Sequence, residues 1–335
     1  MTNEIDYKSP THQINDILFD VELQNVYSNF RIPKTETKYA VGTPYYKAVV
    51  NQENGQILSV VGSSYRLIPN KVALEMGREL FCRIYPHVKK NDLIPYKVVA
   101  PESKASAHID LIHKDVNFKV WEQEIWLPFL RVSNSYNRTY ALSFEIGFAR
   151  KLCSNGVLFN KETMKIKYVH TKSGKMDLET DSAMIENVSG LFKKQCVLLR
   201  EYPIQKEMMF ALVCHIMKLN LKLPDNTYLK RKIINLKNLY NNVIDLTTQY
   251  GNNGKINAYT TLNIVSDLVS HQNVYKNLAG FHFNVRSFYA RPTDWMDEFS
   301  GKISSGDFNL NGYLKPTTKA LDDIEKEVGF KWQIN

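Results

Sequence analysis

The densest concentration of side chains able to recognise an anionic, aromatic ligand lies in the middle of the chain. The run Phe129-Leu130-Arg131-Val132-Ser133-Asn134-Ser135-Tyr136-Asn137-Arg138-Thr139-Tyr140-Ala141-Leu142 continues through Gly147-Phe148-Ala149-Arg150-Lys151-Leu152-Cys153-Ser154-Asn155-Gly156-Val157-Leu158. Arg131, Arg138, Arg150 and Lys151 supply cations for phosphate. Asn134 and Ser135 supply amide and hydroxyl hydrogen bonds, and Tyr136 and Tyr140 supply faces on which bases stack. The same residues carry a plainer reading, in which two hairpin turns use Asn side chains to satisfy their own backbones and arginines decorate strand edges.

Other chemistry is harder to find. The sequence contains no G-x-x-x-x-G-K-[ST], no G-x-S-x-G, no H-E-x-x-H and no G-x-G-x-x-G after a strand, so the common nucleotide, hydrolase and metalloprotease signatures are missing. Glu122 and Glu124 would share one face of a strand, a spacing that suits a metal-dependent nuclease but more commonly marks a solvent-facing strand. Asp322, Asp323, Glu325 and Glu327 read as a solvated helix face. His108 and His113 differ by an odd number, so on a strand they point to opposite faces and make no metal pair. No metal and no cofactor are expected. Cys82, Cys153, Cys196 and Cys214 are far apart in sequence and read as reduced, mostly buried thiols.

The 335 residues allow one large domain or two modest ones, and 44% hydrophobic with 23% charged residues is a globular composition. No run approaches the roughly 20 apolar residues that span a bilayer, and the polar start Met1-Thr2-Asn3-Glu4-Ile5-Asp6 lacks the basic and apolar regions of a signal peptide. The expectation is a cytoplasmic protein with no membrane partner. Residues 147–237 hold 17 basic against 8 acidic residues, an excess equal to the net charge of +9 of the whole chain. The first 36 residues and the stretch from Arg291 are mildly acidic. A basic middle suits a polyanion, although Lys-rich helices also arise simply by solvating their outer faces.

The elements that must position these groups fall into two halves. Tyr45-Tyr46-Lys47-Ala48-Val49-Val50, Asn54-Gly55 and Ile57-Leu58-Ser59-Val60-Val61 form a β-hairpin, because Asn-Gly supplies the positive φ of a tight turn. A helix follows over 71–85, with strands at 96–100, 107–113, 125–133, 141–148 and 164–169. After Gly174 the period becomes helical. Ile185, Val188, Phe192, Cys196 and Leu199 form one stripe. Met209, Leu212, Val213 and Ile216 form a second, opened by Pro203. Ile233, Leu236, Tyr240 and Val243 form a third, and Ala258, Leu262, Val265 and Val269 a fourth beyond the loop Gly251-Asn252-Asn253-Gly254. Residues 295–311 read as loosely structured and 319–327 as a short polar helix. The fold class is α+β, a β-rich N-terminal half with hairpins followed by an α-helical C-terminal half. The organisation is an arm at 1–37, a β-rich domain at 38–175, a helical domain or subdomain sharing the core at 176–290, and an extension at 291–335.

The hairpin leading into Ser64-Tyr65-Arg66-Leu67-Ile68-Pro69-Asn70, the Asn134-Ser135 turn, Arg150-Lys151-Leu152-Cys153-Ser154-Asn155-Gly156 and Asn257-Ala258-Tyr259-Thr260-Thr261-Leu262-Asn263-Ile264-Val265 with His271 together resemble the phage/plasmid-like family known as domain of unknown function 932. The family more often has Thr at Gly156 and Asp-Gly at Asn137-Arg138. The resemblance implies a mobile genetic element in a bacterial host cell and brings no catalytic residue with it. Together with the charge, it leads to a non-catalytic nucleic-acid-binding protein, with DNA the favoured ligand and RNA left open, acting in DNA replication, recombination or strand handling, with homo-oligomerisation open. The alternatives are an anti-defence protein that binds a host factor and, further off, the nuclease built on Glu122 and Glu124.

Overall fold

The computed structural model describes residues 14–31, 38–151, 156–158, 165–168, 182–224, 228–251, 255–271 and 285–334. Cys153, the loop residues Asn252, Asn253 and Gly254, the strand ends Met164 and Val169, and the side chain of Ile185 lie outside them.

Two antiparallel sheets build the N-terminal half. The smaller has strands β1 (Val21–Arg31), β2 (Lys38–Asn51) and β3 (Ile57–Gly62), in that order. Gly55, at φ +72°, closes the expected β2–β3 hairpin in a conformation that costs glycine nothing. The N-terminal arm thus contains a strand, β1, zipped along the length of β2. Helix α1 (Asn70–Ile84) then leads to the larger sheet of β4 (Ile94–Val99), β5 (Ser106–Ile112), β6 (Phe118–Trp121), β7 (Glu124–Ser135), β8 (Leu142–Arg150), β9 (Gly156–Leu158) and β10 (Lys165–Tyr168). Its main path runs β10-β8-β7-β5-β4, with β6 added to β7 and β9 to β8.

The C-terminal half is helical: α2 (Ser182–Glu201), α3 (Met209–Ile216), α4 (Leu229–Tyr250), α5 (Ala258–Ser270), α6 (Val285–Ser304) and α7 (Leu310–Val328). The α+β reading and the four helical stripes hold, with three corrections. Pro203 opens no helix. It forms a bridge with Asn257, and α3 begins only at Met209, after a short 3-10 turn over Lys206–Met208. Residues 295–311 are not loose, since most of them belong to α6, and Asn309 caps α7 by accepting from the Asn311 and Gly312 amides. The short polar helix is the C-terminal half of the longer α7. Pro292 and Pro316 lie inside these helices. Their lost amide donors are outweighed by the burial of Trp295, Met296, Phe299, Leu314 and Leu321.

One hydrophobic core runs through both halves, from Ile68 and Leu80 to Trp332 and Ile334. Helix α1 packs on β5 and β7, and α2 lies against β6, with Phe192 between Phe118, Trp126 and Phe148 at ring distances of 6.1, 4.9 and 5.1 Å. Every residue of α5 is buried. A capping box starts this helix: Asn257 Oδ1 accepts from the Thr260 amide at 2.9 Å, and the Asn257 amide donates to Thr260 Oγ1 at 3.3 Å.

Two predictions follow from this core. Val265→Asp places a charge on a side chain that is 0% exposed, so chemical denaturation should show a loss of about 3 kcal/mol or more. His215 lies between Thr317 Oγ1 (3.1 Å) and the Tyr313 ring (4.4 Å), and burial holds its pKa below the ordinary 6.5. Protonation therefore favours the unfolded chain. Its effect is absent above about pH 6.5 and grows as pH falls below that value, so His215→Gln should lose less melting temperature on acidification than the parent.

Candidate nucleic-acid interface

The register of the large sheet places four charged residues in one row on one face: Lys97 opposite Asp110, Asp110 opposite Arg131, and Arg131 opposite Glu145. Lys165 occupies the next register position, opposite Glu145. Directly opposed residues share a face, so the signs alternate across five strands. The four side chains of the row that are described are at most 8% exposed. Arg131 grips Asp110 with two bonds of 2.6 Å, from Nε to Oδ1 and from Nη2 to Oδ2, the fork geometry that makes such pairs strong. Lys97 Nζ donates to the Ser270 carbonyl at the end of α5, at 2.8 Å. A second row runs beside it, with His108 opposite Ser133 and Ser133 opposite Ser143. His108 Nδ1 lies 2.7 Å from Ser133 Oγ, and its ring stacks on Tyr140 at 5.0 Å.

The Asn134-Ser135-Tyr136 segment is a structural knot. Asn134 Nδ2 donates to the Ile68 carbonyl and to Asn70 Oδ1, both at 2.9 Å. Ser135 Oγ donates to the Tyr140 carbonyl at 2.6 Å. Tyr136 is 0% exposed and its hydroxyl accepts from the Asn70 amide at 2.9 Å, while burial pushes its pKa far above the ordinary phenol value. Together with Phe19, Val21, Val49, Val61 and Tyr65 it forms the separate small core beneath the three-stranded sheet.

At the other end of β7, Glu124 is 3% exposed and accepts from Arg150 Nη2 at 2.7 Å and from the Tyr259 hydroxyl at 2.6 Å. Glu122 lies in the β6–β7 turn and is exposed, so the two carboxylates do not share a strand face. Among the described residues no group of three or more His, Cys, Asp or Glu comes together to hold a metal ion.

The eight expected contact residues therefore do not form one surface. Arg131, Asn134, Ser135 and Tyr136 are buried, Tyr140, Arg150 and Lys151 are half-buried, and Arg138 is exposed. Arg138 and Lys151 sit beyond opposite ends of β8, roughly 26 Å or more apart at 3.3 Å per residue. Arg138 also has φ +61°, the left-handed conformation that glycine adopts without strain.

An accessible cationic surface lies instead on α4. Lys230, Arg231, Ile234, Lys237 and Asn241 are exposed on its outer side, and Tyr228 just before it is 65% exposed. The helix has no acidic residue before Asp245. Three of its cations lie in the first turn, where the helix dipole disfavours positive charge. The basic content of this region was legible in the sequence; which of its residues face outward required the third stripe to be turned against α3 and α5.

The chain belongs to the family described as Domain of unknown function (DUF932), whose model matches residues 57–299. No curated protein and no solved structure matches it.

The knot and the charge row generate a contrast. Arg131→Met leaves Asp110 buried without its partner and should cost about 3–5 kcal/mol of stability, most of it recovered in Asp110→Leu/Arg131→Met. Arg138→Ala should stay within about 0.5 kcal/mol of the parent. Urea unfolding of the variants measures both, and an indifferent Arg131→Met would refute the structural role given to that pair.

Proposed function

We propose that this protein is a non-catalytic nucleic-acid-binding protein of a phage, plasmid or integrated element, acting in the cytoplasm of the host on DNA replication, recombination or strand handling. The observation that carries the reading is the outer face of α4, where Lys230, Arg231 and Lys237 are exposed beside Tyr228 with no acidic residue before Asp245. Cations in the first turn of a helix oppose its dipole, and a phosphate backbone would supply them with counter-charge. Lys193, Lys194 and Arg200 are exposed on α2 and add to the field that draws a polyanion in. The role first assigned to the β7–β8 turn passes in this reading to α4, with Arg138 and Lys151 as outlying contacts.

The test is a salt titration. The logarithm of the affinity should fall linearly with the logarithm of salt concentration, with a slope equivalent to about 3 to 5 phosphate contacts. Replacing Lys230, Arg231 and Lys237 together by Gln should reduce that slope by up to about 3 contacts while leaving the melting temperature nearly unchanged. Affinity indifferent to salt would overturn the reading and turn attention to a host-protein partner.

A further inference from the structure

Among the described residues six strands have a neighbour on one side only: β1, β3, β4, β6, β9 and β10. An open edge offers its unpaired amides and carbonyls to any other strand, and proteins blunt such edges with charge, proline, bulges or brevity. Five of the six carry charge or are cut short. Strand β1 holds Glu22 and Arg31, β4 holds Lys97 with Pro95 at a bulge, β6 holds Lys119, β10 reads Lys165-Ile166-Lys167-Tyr168, and β9 has three residues. Strand β3, Ile57-Leu58-Ser59-Val60-Val61-Gly62, has neither a charge nor a proline, and none occurs from Asn54 to Tyr65. Its one irregularity is a bulge at Leu58, beyond which Ser59 to Gly62 stay in regular register with β2. From Ile57 to Val61 the β3 backbone bonds only to β2 among the described residues.

The two faces of the small sheet differ at this edge. On one, Val49 and Val61 join the small core with Tyr65 and Tyr136, and Ser59 Oγ donates to the Tyr136 carbonyl at 2.6 Å. That face fixes β3 on the rest of the molecule. The other carries Tyr46 opposite Gly62, Ala48 opposite Val60 and Val50 opposite Ile57, and directly opposed residues share a face. Every one of these is apolar or aromatic. Exposure rises toward the edge: Ala48 and Val50 on the central strand are 5% and 6% exposed, whereas Val60 and Ile57 on β3 are 55% and 61%.

We propose that β3 of one molecule pairs antiparallel with β3 of a second copy about a two-fold axis, joining two three-stranded sheets into one of six strands. The inference goes beyond the nucleic-acid reading and does not need it. A strand that pairs with itself antiparallel makes a closed, isologous contact. The neutral run from Asn54 to Tyr65 brings no like charge against its own copy, and Ile57 and Val60 of each molecule become cross-strand neighbours of the same residues in the other. A pairing of six residues is a small interface, so the dimer belongs to the weak class that forms at micromolar concentration.

Sedimentation velocity of the full chain from about 1 to 100 μM tests the pairing and should show a monomer–dimer equilibrium. Val60→Lys and Ile57→Lys each add a solvent-facing charge that the two-fold axis repeats in the partner. Each should raise the dissociation constant about ten-fold or more, with the melting temperature close to the parent's. Leu191→Lys, at an exposed site on α2, should dimerise like the parent, as should the Lys230/Arg231/Lys237 variant. Amide hydrogen exchange then places the contact: exchange within Ile57–Val61 should slow as the parent is concentrated, and should not slow in Val60→Lys. If both lysine variants prove unstable, that measurement on the parent decides alone. A parent that stays monomeric overturns the proposal, as does a dimer indifferent to both lysine variants or one whose exchange slows only elsewhere. A monomer with these amides already protected puts another segment on the edge and overturns it too.

Discussion

The rest of the molecule depends on the row of opposite charges that crosses the large sheet. Placing Lys97, Asp110, Arg131 and Glu145 out of water is costly, and the cost is offset by the Arg131–Asp110 ion pair, the Lys97–Ser270 hydrogen bond and the alternation of sign along the row. A slip of one residue between β5 and β7 would send every side chain of the shifted strand to the other face and strand a carboxylate among Val132, Leu130 and Leu111. Hydrophobic alternation alone tolerates neighbouring registers poorly, and the charge row tolerates them worse. With that register set, β7 presents Trp126 and Val132 to the helices and carries Asn134 and Tyr136 to the place where the small sheet and the start of α1 join the large one. The packing of both sheets thus follows from a polar constraint near the middle of one of them.

That arrangement explains why the central stretch misleads when read as a sequence. Asn, Ser, Tyr and Arg in close succession are the residues of a binding turn, and they are equally the residues of a buried junction between three pieces of backbone. Which description applies depends on partners distant in the chain. Arg131 finds Asp110, 21 residues away, and Arg150 finds Glu124, 26 residues away, whereas Asn134 and Tyr136 find Asn70 more than 60 residues away. No local pattern announces such pairs. The hairpin at Asn54-Gly55, by contrast, depends only on the local turn, and it is where the residues place it.

The helical half is more legible because its signal is periodic. Val188, Phe192, Cys196 and Leu199 are buried together, as are Leu236 and Val243, as a 3.6-residue repeat requires. Where the reading failed, a local rule met a stronger tertiary one. Proline discourages helix at positions 292 and 316, but the aromatic and aliphatic neighbours have nowhere else to be buried. The surface of α4 was visible as composition and not as a face, since four basic residues in a row of nine do not say which way they point.

Helix α5 has a consequence for how the protein can be divided. Its thirteen residues are covered on every side, by strand β9 as well as by α2, α3, α4 and α6, so it is wall to one half and floor to the other. Among the described residues, parting the β-rich and helical halves along this helix would expose Leu262, Val265 and Val269 to water together. Opening of the core is for that reason collective: a protease gains entry to this helix only when both halves loosen at once, and an unrelated segment grafted in place of either half would leave a naked apolar rod for chaperones or neighbouring chains to bind. The two halves must therefore be inherited as a single unit, while the surfaces of β1, β2 and α4, which do not bear on that rod through their outer faces, remain open to change.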